Sequence, residues 1–125
     1  MEERKMKFGF NHFNFNVIDL DKSIEFYDEA LGLKESHRLH SDDGSYEIVY
    51  LKDEQSSFLL ELTWLRDHPQ KYDLGELEFH LALKTDDYEA ALKKHQEMGI
   101  VVFVNEKMGI YFIQDLDGYW IEIIP

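Results

Sequence analysis

The chain has 125 residues, 44% of them hydrophobic and 14% aromatic, with a formal net charge of -13 at pH 7 and no cysteine. That length suits one domain with a real core. The acidity argues against nucleic acid and anionic membranes, which need a basic face, and the lack of thiols removes disulfides, zinc fingers and cysteine nucleophiles.

In chain order, the N-terminal MEERKMK is charged and has no apolar segment behind it, so a soluble cytoplasmic protein is expected. Residues 8–18, FGFNHFNFNVI, then alternate as a strand, which sets His12, Asn14 and Asn16 on one face and Phe13, Phe15 and Val17 on the other. Asp21 or Ser23 is placed to cap a helix carrying Ile24, Tyr27 and Leu31 at helical spacing, with Gly32 as its left-handed stop. Strands are expected over 33–39, 46–52 and 58–65, separated by turn clusters at 42–45 and 53–57, and residues 66–76 read as a connector.

The same order then restarts. Residues 77–84 form a strand with His80, and Asp86 with Glu89 resembles a capping box. Tyr88, Ala91, Leu92 and Met98 give a helical stripe closed by Gly99, and strands follow over 101–105, 110–114 and 119–124, the last pair joined by an Asp-Gly turn. Overlaying the halves puts His12 on His80, while Glu61 and Glu122 both fall in the final strand of their half. The expectation is two strand-helix-three-strand modules, at residues 8–65 and 77–125, forming one pseudo-symmetric domain over 1–125.

A single strand histidine is more often a hydrogen-bonded core residue than a ligand, and Glu61 alone could face solvent. Four such residues at matched repeat positions are harder to dismiss. Imidazole nitrogen and carboxylate oxygen together suit a divalent metal with open positions for substrate. His37, His40, His68 and His95 are expected to be solvated, and Asp117 and Gly118 to serve the turn only.

The pattern H-x-x-x-x-V-x-D-L-x-x-S-I-x-F-Y-x-x-x-L-G-L from His12 to Leu33, with ELTW at Glu61, KYDLG at 71–75, FHLAL around His80 and DLDGYWIEII around Glu122, resembles the vicinal oxygen chelate superfamily, and within it glyoxalase I most closely. The resemblance implies an α+β fold of paired βαβββ modules with eight strands and two main helices. It implies a metal site of His12, Glu61, His80 and Glu122, shared between the subunits of a homodimer, holding nickel or cobalt, with zinc as the other option. The reaction implied is lactoylglutathione lyase chemistry, isomerising the hemithioacetal of methylglyoxal and a thiol through an enediolate, with Glu122 as base and Glu61 returning the proton. Asn14, Asn16 and Lys107 are the expected substrate contacts. Asn16 stands where many glyoxalases have an arginine for a glutathione carboxylate, Leu65 where an asparagine often follows ELT, and Lys107 is the only cation of a shortened segment. Other members of the superfamily imply other chemistry on this scaffold: an epimerase, a dioxygenase, or a metal-free resistance-type binding module.

Overall fold

The structure, a computed structural model, describes residues 3–125. Its elements run β1 (His12–Asn16), α1 (Leu20–Leu31), β2 (Lys34–His40), β3 (Tyr46–Lys52), β4 (Leu59–Leu65), β5 (Leu81–Lys84), α2 (Tyr88–Glu97), β6 (Val101–Asn105), β7 (Ile110–Gln114) and β8 (Trp120–Ile124). The strands form two four-stranded sheets of the same order, β1-β4-β3-β2 and β5-β8-β7-β6. In each, the first strand runs parallel to the last, which requires the crossover helix that α1 and α2 supply. The paired βαβββ architecture is therefore as the repeat implied.

Element ends differ in instructive ways. β1 begins at His12 and β5 at Leu81, later than the apolar alternation suggested. Alternation marks strand propensity, but a strand needs a ladder partner, and β4 and β8 offer theirs only from those points on. Phe8 and Phe10, upstream of β1, are 90% and 95% exposed. The cap of α1 is Asp19, whose carboxylate accepts the Lys22 amide, and not Asp21 or Ser23; Ser23 is buried instead. Likewise Asp87, not Asp86, caps α2 by accepting from the Ala90 amide. Consecutive polar residues make such one-residue or two-residue shifts easy. Gly32 closes α1 at φ 67°, and Gly99 follows α2 at φ 72°, the left-handed turns that favour glycine.

Each sheet has one covered face and one open face. On β4, Leu60 and Leu62 are buried while Leu59, Glu61 and Thr63 are half-buried; on β8, Ile121 and Ile123 are buried while Trp120, Glu122 and Ile124 are half-buried. The covered faces share a single core in which Phe15 and Tyr27 of the first module meet Tyr111, Tyr119 and Ile121 of the second. Phe15 and Tyr119 stack across the module boundary at 4.0 Å. Among the described residues, no helix is long and apolar enough to cross a membrane.

Polar ties lock the same boundary. Buried Tyr27 donates its hydroxyl to Asp115 at 2.6 Å, Tyr119 donates to the Asn16 carbonyl at 2.9 Å, and the Ile18 amide donates to Asp117 at 3.0 Å. Asp117 is thus no mere turn residue. It is 8% exposed and fixes the chain leaving β1 onto the β7–β8 turn, whereas Gly118 takes the expected turn role at φ 95°.

His95 is also a correction, being 3% exposed rather than solvated. It lies one helical turn after Ala91 and so belongs to the apolar stripe of α2. The Ala30 carbonyl can only accept, so His95 donates to it from Nε2 at 2.7 Å, and Nδ1 accepts the Tyr111 hydroxyl at 2.7 Å. Burial lowers its pKa, which keeps the imidazole neutral. His68 departs more mildly: it is half-buried and stacked on Tyr72 at 3.9 Å. His37 and His40 are exposed as expected.

Candidate metal centre

Strand register places the histidines and glutamates. Asn14 stands opposite Glu61 across the parallel β1–β4 ladder, and Ala82 stands opposite Glu122 across β5–β8. His12 and His80 each lie two residues earlier, so period two returns each imidazole to the open face that carries its glutamate. The His12 Nε2 is 3.7 Å from a Glu61 carboxylate oxygen, and the His80 Nε2 is 3.3 Å from one of Glu122. In both pairs the imidazole is the more open partner, at 39% and 43% side-chain exposure against 14% and 18% for the glutamates.

The surroundings are nearly symmetric. An aromatic ring from the strand beyond the glutamate meets each imidazole edge-on, Tyr50 of β3 against His12 at 5.5 Å and Phe112 of β7 against His80 at 5.1 Å. These rings are also the cross-strand partners of the glutamates, Tyr50 opposite Glu61 and Phe112 opposite Glu122. The difference between them is one hydroxyl. Hydrogen bonding to the Glu61 carboxylate is the main cause that raises the Tyr50 phenol's pKa, followed by burial and charge repulsion, whereas Phe112 offers Glu122 no such donor.

A second asymmetry concerns Asn11. Its side-chain oxygen lies 2.6 Å from Nδ1 of His12 and can only accept, so the proton sits on Nδ1. In the neutral ring the lone pair is then on Nε2, the nitrogen that faces Glu61. Neither Asn11 nor Tyr50 is singled out by the sequence pattern: Tyr50 meets Glu61 through the β3–β4 register, and Asn11 meets its sequence neighbour His12 through a side-chain conformation that periodicity does not encode.

The chain brings the four residues together two by two, His12 with Glu61 and His80 with Glu122, on separate sheets. Among the described residues, no three His, Asp or Glu side chains are close enough to hold a metal ion. Asn14 and Asn16 line a cavity of about 340 Å³ beside the first pair, with Tyr72 and Asp73 of the connector across from them. The Asn14 amide donates to Asn16 at 2.7 Å and its oxygen accepts the Thr63 hydroxyl at 2.5 Å. Lys107 lies on the exposed turn between β6 and β7 and lines neither that cavity nor the larger one of about 420 Å³. The larger cavity, bounded by Phe26, Met98 and Leu116, contains none of the four paired residues.

Comparison with known proteins agrees with this architecture. Residues 9–123 match the family model described as Glyoxalase/Bleomycin resistance protein/Dioxygenase superfamily. The chain is 36% identical over 121 residues to a lactoylglutathione lyase of Neisseria meningitidis, covering 90% of this chain and 87% of that protein. It is 35% identical over 124 residues to a probable lactoylglutathione lyase of Synechocystis, covering 90% and 92%. Among solved structures, the trypanothione-dependent glyoxalase I of Leishmania major superposes with a TM-score of 0.83 at 30% identity, over 94% of this chain and 86% of that one. With repeat order, sheet topology and similarity in agreement, the chain belongs to the glyoxalase/bleomycin resistance/dioxygenase superfamily, the vicinal oxygen chelate group.

Proposed function

We propose that the protein is a metal-dependent lyase of the glyoxalase I kind, converting the hemithioacetal of methylglyoxal and a small thiol into the lactoyl thioester. The observation that carries this reading is the pair of matched His–Glu couples on open sheet faces. Each couple supplies half of a four-ligand set, so a complete site needs the first module of one chain against the second module of another copy. Lactoylglutathione lyases among the chain's relatives support the reaction class.

The residues fit a divalent cation. Two donors each about 2.1 Å from one ion stand roughly 3 Å apart, close to the separations within both couples. The His12 tautomer set by Asn11 leaves the ligating lone pair on the side of Glu61. Nickel or cobalt is the favoured occupant and zinc the other candidate, since a mixed imidazole and carboxylate set serves all three. A bound cation would supply Lewis-acid stabilisation of the negative charge that develops on the substrate oxygens.

The proton transfers fall to the glutamates. Glu122, opposite a phenyl ring that offers it no hydrogen bond, would be one of the residues holding the cation and is the base that takes the proton from the hemithioacetal carbon that bears sulfur. That carbon is oxidised to the thioester level as its hydroxyl proton passes to the neighbouring ketone oxygen and a proton is returned to the adjacent carbon, which is reduced to the lactoyl carbinol. Atoms balance and no external oxidant is needed. Glu61 starts the cycle protonated and delivers its proton on the other face, and exchange with water then takes the proton from Glu122 and restores the one on Glu61. Removing metal from the purified protein should abolish thioester formation and adding back nickel, cobalt or zinc should restore it. Glu122→Gln should keep most metal binding but lose about 10²–10⁴-fold in turnover. Full activity in that variant removes Glu122 from the mechanism.

A further inference from the structure

The cavity beside the His12–Glu61 couple carries information about the substrate that the couple does not. It starts at Asn14, directly opposite Glu61 in the β1–β4 register, and continues past Asn16 to the connector. Neither His12 nor Glu61 lines this space of about 340 Å³, but a molecule held at the couple and extending along β1 past Asn14 reaches it. The walls are aromatic and amide. Phe13 and Phe79 are 41% and 42% exposed, and the polar groups are Asn14, Asn16, the Tyr72 hydroxyl and the Asp73 carboxylate. None of the lining residues is a cation, and the one ionised side chain is acidic. The Tyr72 hydroxyl is shut off from solvent beside Asn16 and has no partner in good hydrogen-bond geometry, so a polar group is missing from that corner.

Accepting the lyase reading above, we infer that this cavity holds the non-reacting end of the thiol and selects an uncharged or cationic end over a carboxylate. A carboxylate entering here gives up water, gains only neutral donors and meets Asp73 at close range. An ester, amide or ammonium group meets Asp73 favourably or neutrally, while Asn14, Asn16 and Tyr72 supply donors and acceptors that suit either. The net charge of -13 per chain deepens the same bias for any second copy closing over the site.

The test uses the metal-loaded protein and two ligands that share one skeleton and differ in their carboxyl groups, S-hexylglutathione and its dimethyl ester, measured by calorimetry, with two substitutions separating charge from the added methyl groups. The ester should bind at least tenfold more tightly. Asn16→Arg should reverse that order, and Asp73→Asn, which keeps an acceptor for the Gly75 amide, should narrow it without disturbing the connector turn. Equal or tighter binding of the diacid by the wild type, or a ratio unmoved by both substitutions, overturns the inference. If the diacid wins while hemithioacetals still turn over, the lyase reading survives and only the charge selection falls. If neither ligand binds and no thiol adduct turns over, both fall.

Discussion

At the scale of single residues, the two halves of the candidate centre differ most at Tyr50 and Phe112. The backbone repeats, the imidazole and carboxylate repeat, and the edge-on ring repeats, but only one ring carries a hydroxyl. A phenol set beside a carboxylate that holds a metal fixes the carboxylate's direction. On the proposed reading, Tyr50 is a positioning residue for Glu61, and Glu122 is the carboxylate left without such a partner. Tyr50→Phe should weaken nickel or cobalt binding roughly tenfold, read by competition with a chromophoric chelator. Phe112→Tyr should instead lower turnover by tethering Glu122, with metal affinity unchanged or improved. Identical behaviour of the two variants would dissolve the distinction between the glutamates.

At the scale of elements, the β7–β8 turn does more than reverse the chain. Asp115 accepts the Tyr27 hydroxyl from α1 together with the Asp117 and Tyr119 amides of its own turn. Burial outweighs these hydrogen bonds and pushes its carboxyl up to about 6. A folded value above the unfolded one means that the native state holds the proton more tightly. The contribution of Asp115 to stability is therefore greatest below about pH 4, declines as pH rises toward about 6, and is flat above that. Over that window the change is on the order of 3 kcal/mol. Denaturant titrations at pH 4.5 and 7.5 should show the wild type losing stability relative to Asp115→Asn as pH rises. A pH-independent difference between the two proteins would show that this carboxyl titrates normally. His95 acts with the opposite sign, because a lowered pKa costs stability as pH falls below the usual imidazole range. The helix that sequence spacing located thus carries a neutral histidine that ties α2 to α1.

At the scale of the whole molecule, the shared core covers one face of each sheet and leaves the two His–Glu couples open. If the complete centre is built between copies, subunits with complementary defects should rescue each other. A His12→Ala protomer mixed with a Glu122→Gln protomer gives a heterodimer with one doubly damaged and one intact site. Random mixing should then restore about a quarter of wild-type activity per protomer. Rescue should follow the appearance of dimer in sedimentation or light scattering. No rescue in a confirmed dimer would place each site within a single chain.

The sequence by itself was enough to find the repeat, the element order and the face of each key side chain. Strand parity is a local property, and two modules with the same pattern put His12 and His80, and Glu61 and Glu122, at matched positions, while the β1–β4 and β5–β8 pairings bring each histidine beside its glutamate. It also located both helix stops at Gly32 and Gly99, where only a left-handed turn was required. Tertiary structure decided which faces are covered. His95 and Asp117 look like ordinary polar residues of a helix and a turn, and they are buried because elements distant in sequence close over them and supply Ala30, Tyr111 and Ile18 as partners. The pairing of Tyr50 with Glu61 and the cation-free cavity beyond Asn16 likewise exist only once distant segments have come together. Period and propensity are written along the chain, whereas desolvation depends on what arrives from elsewhere in it.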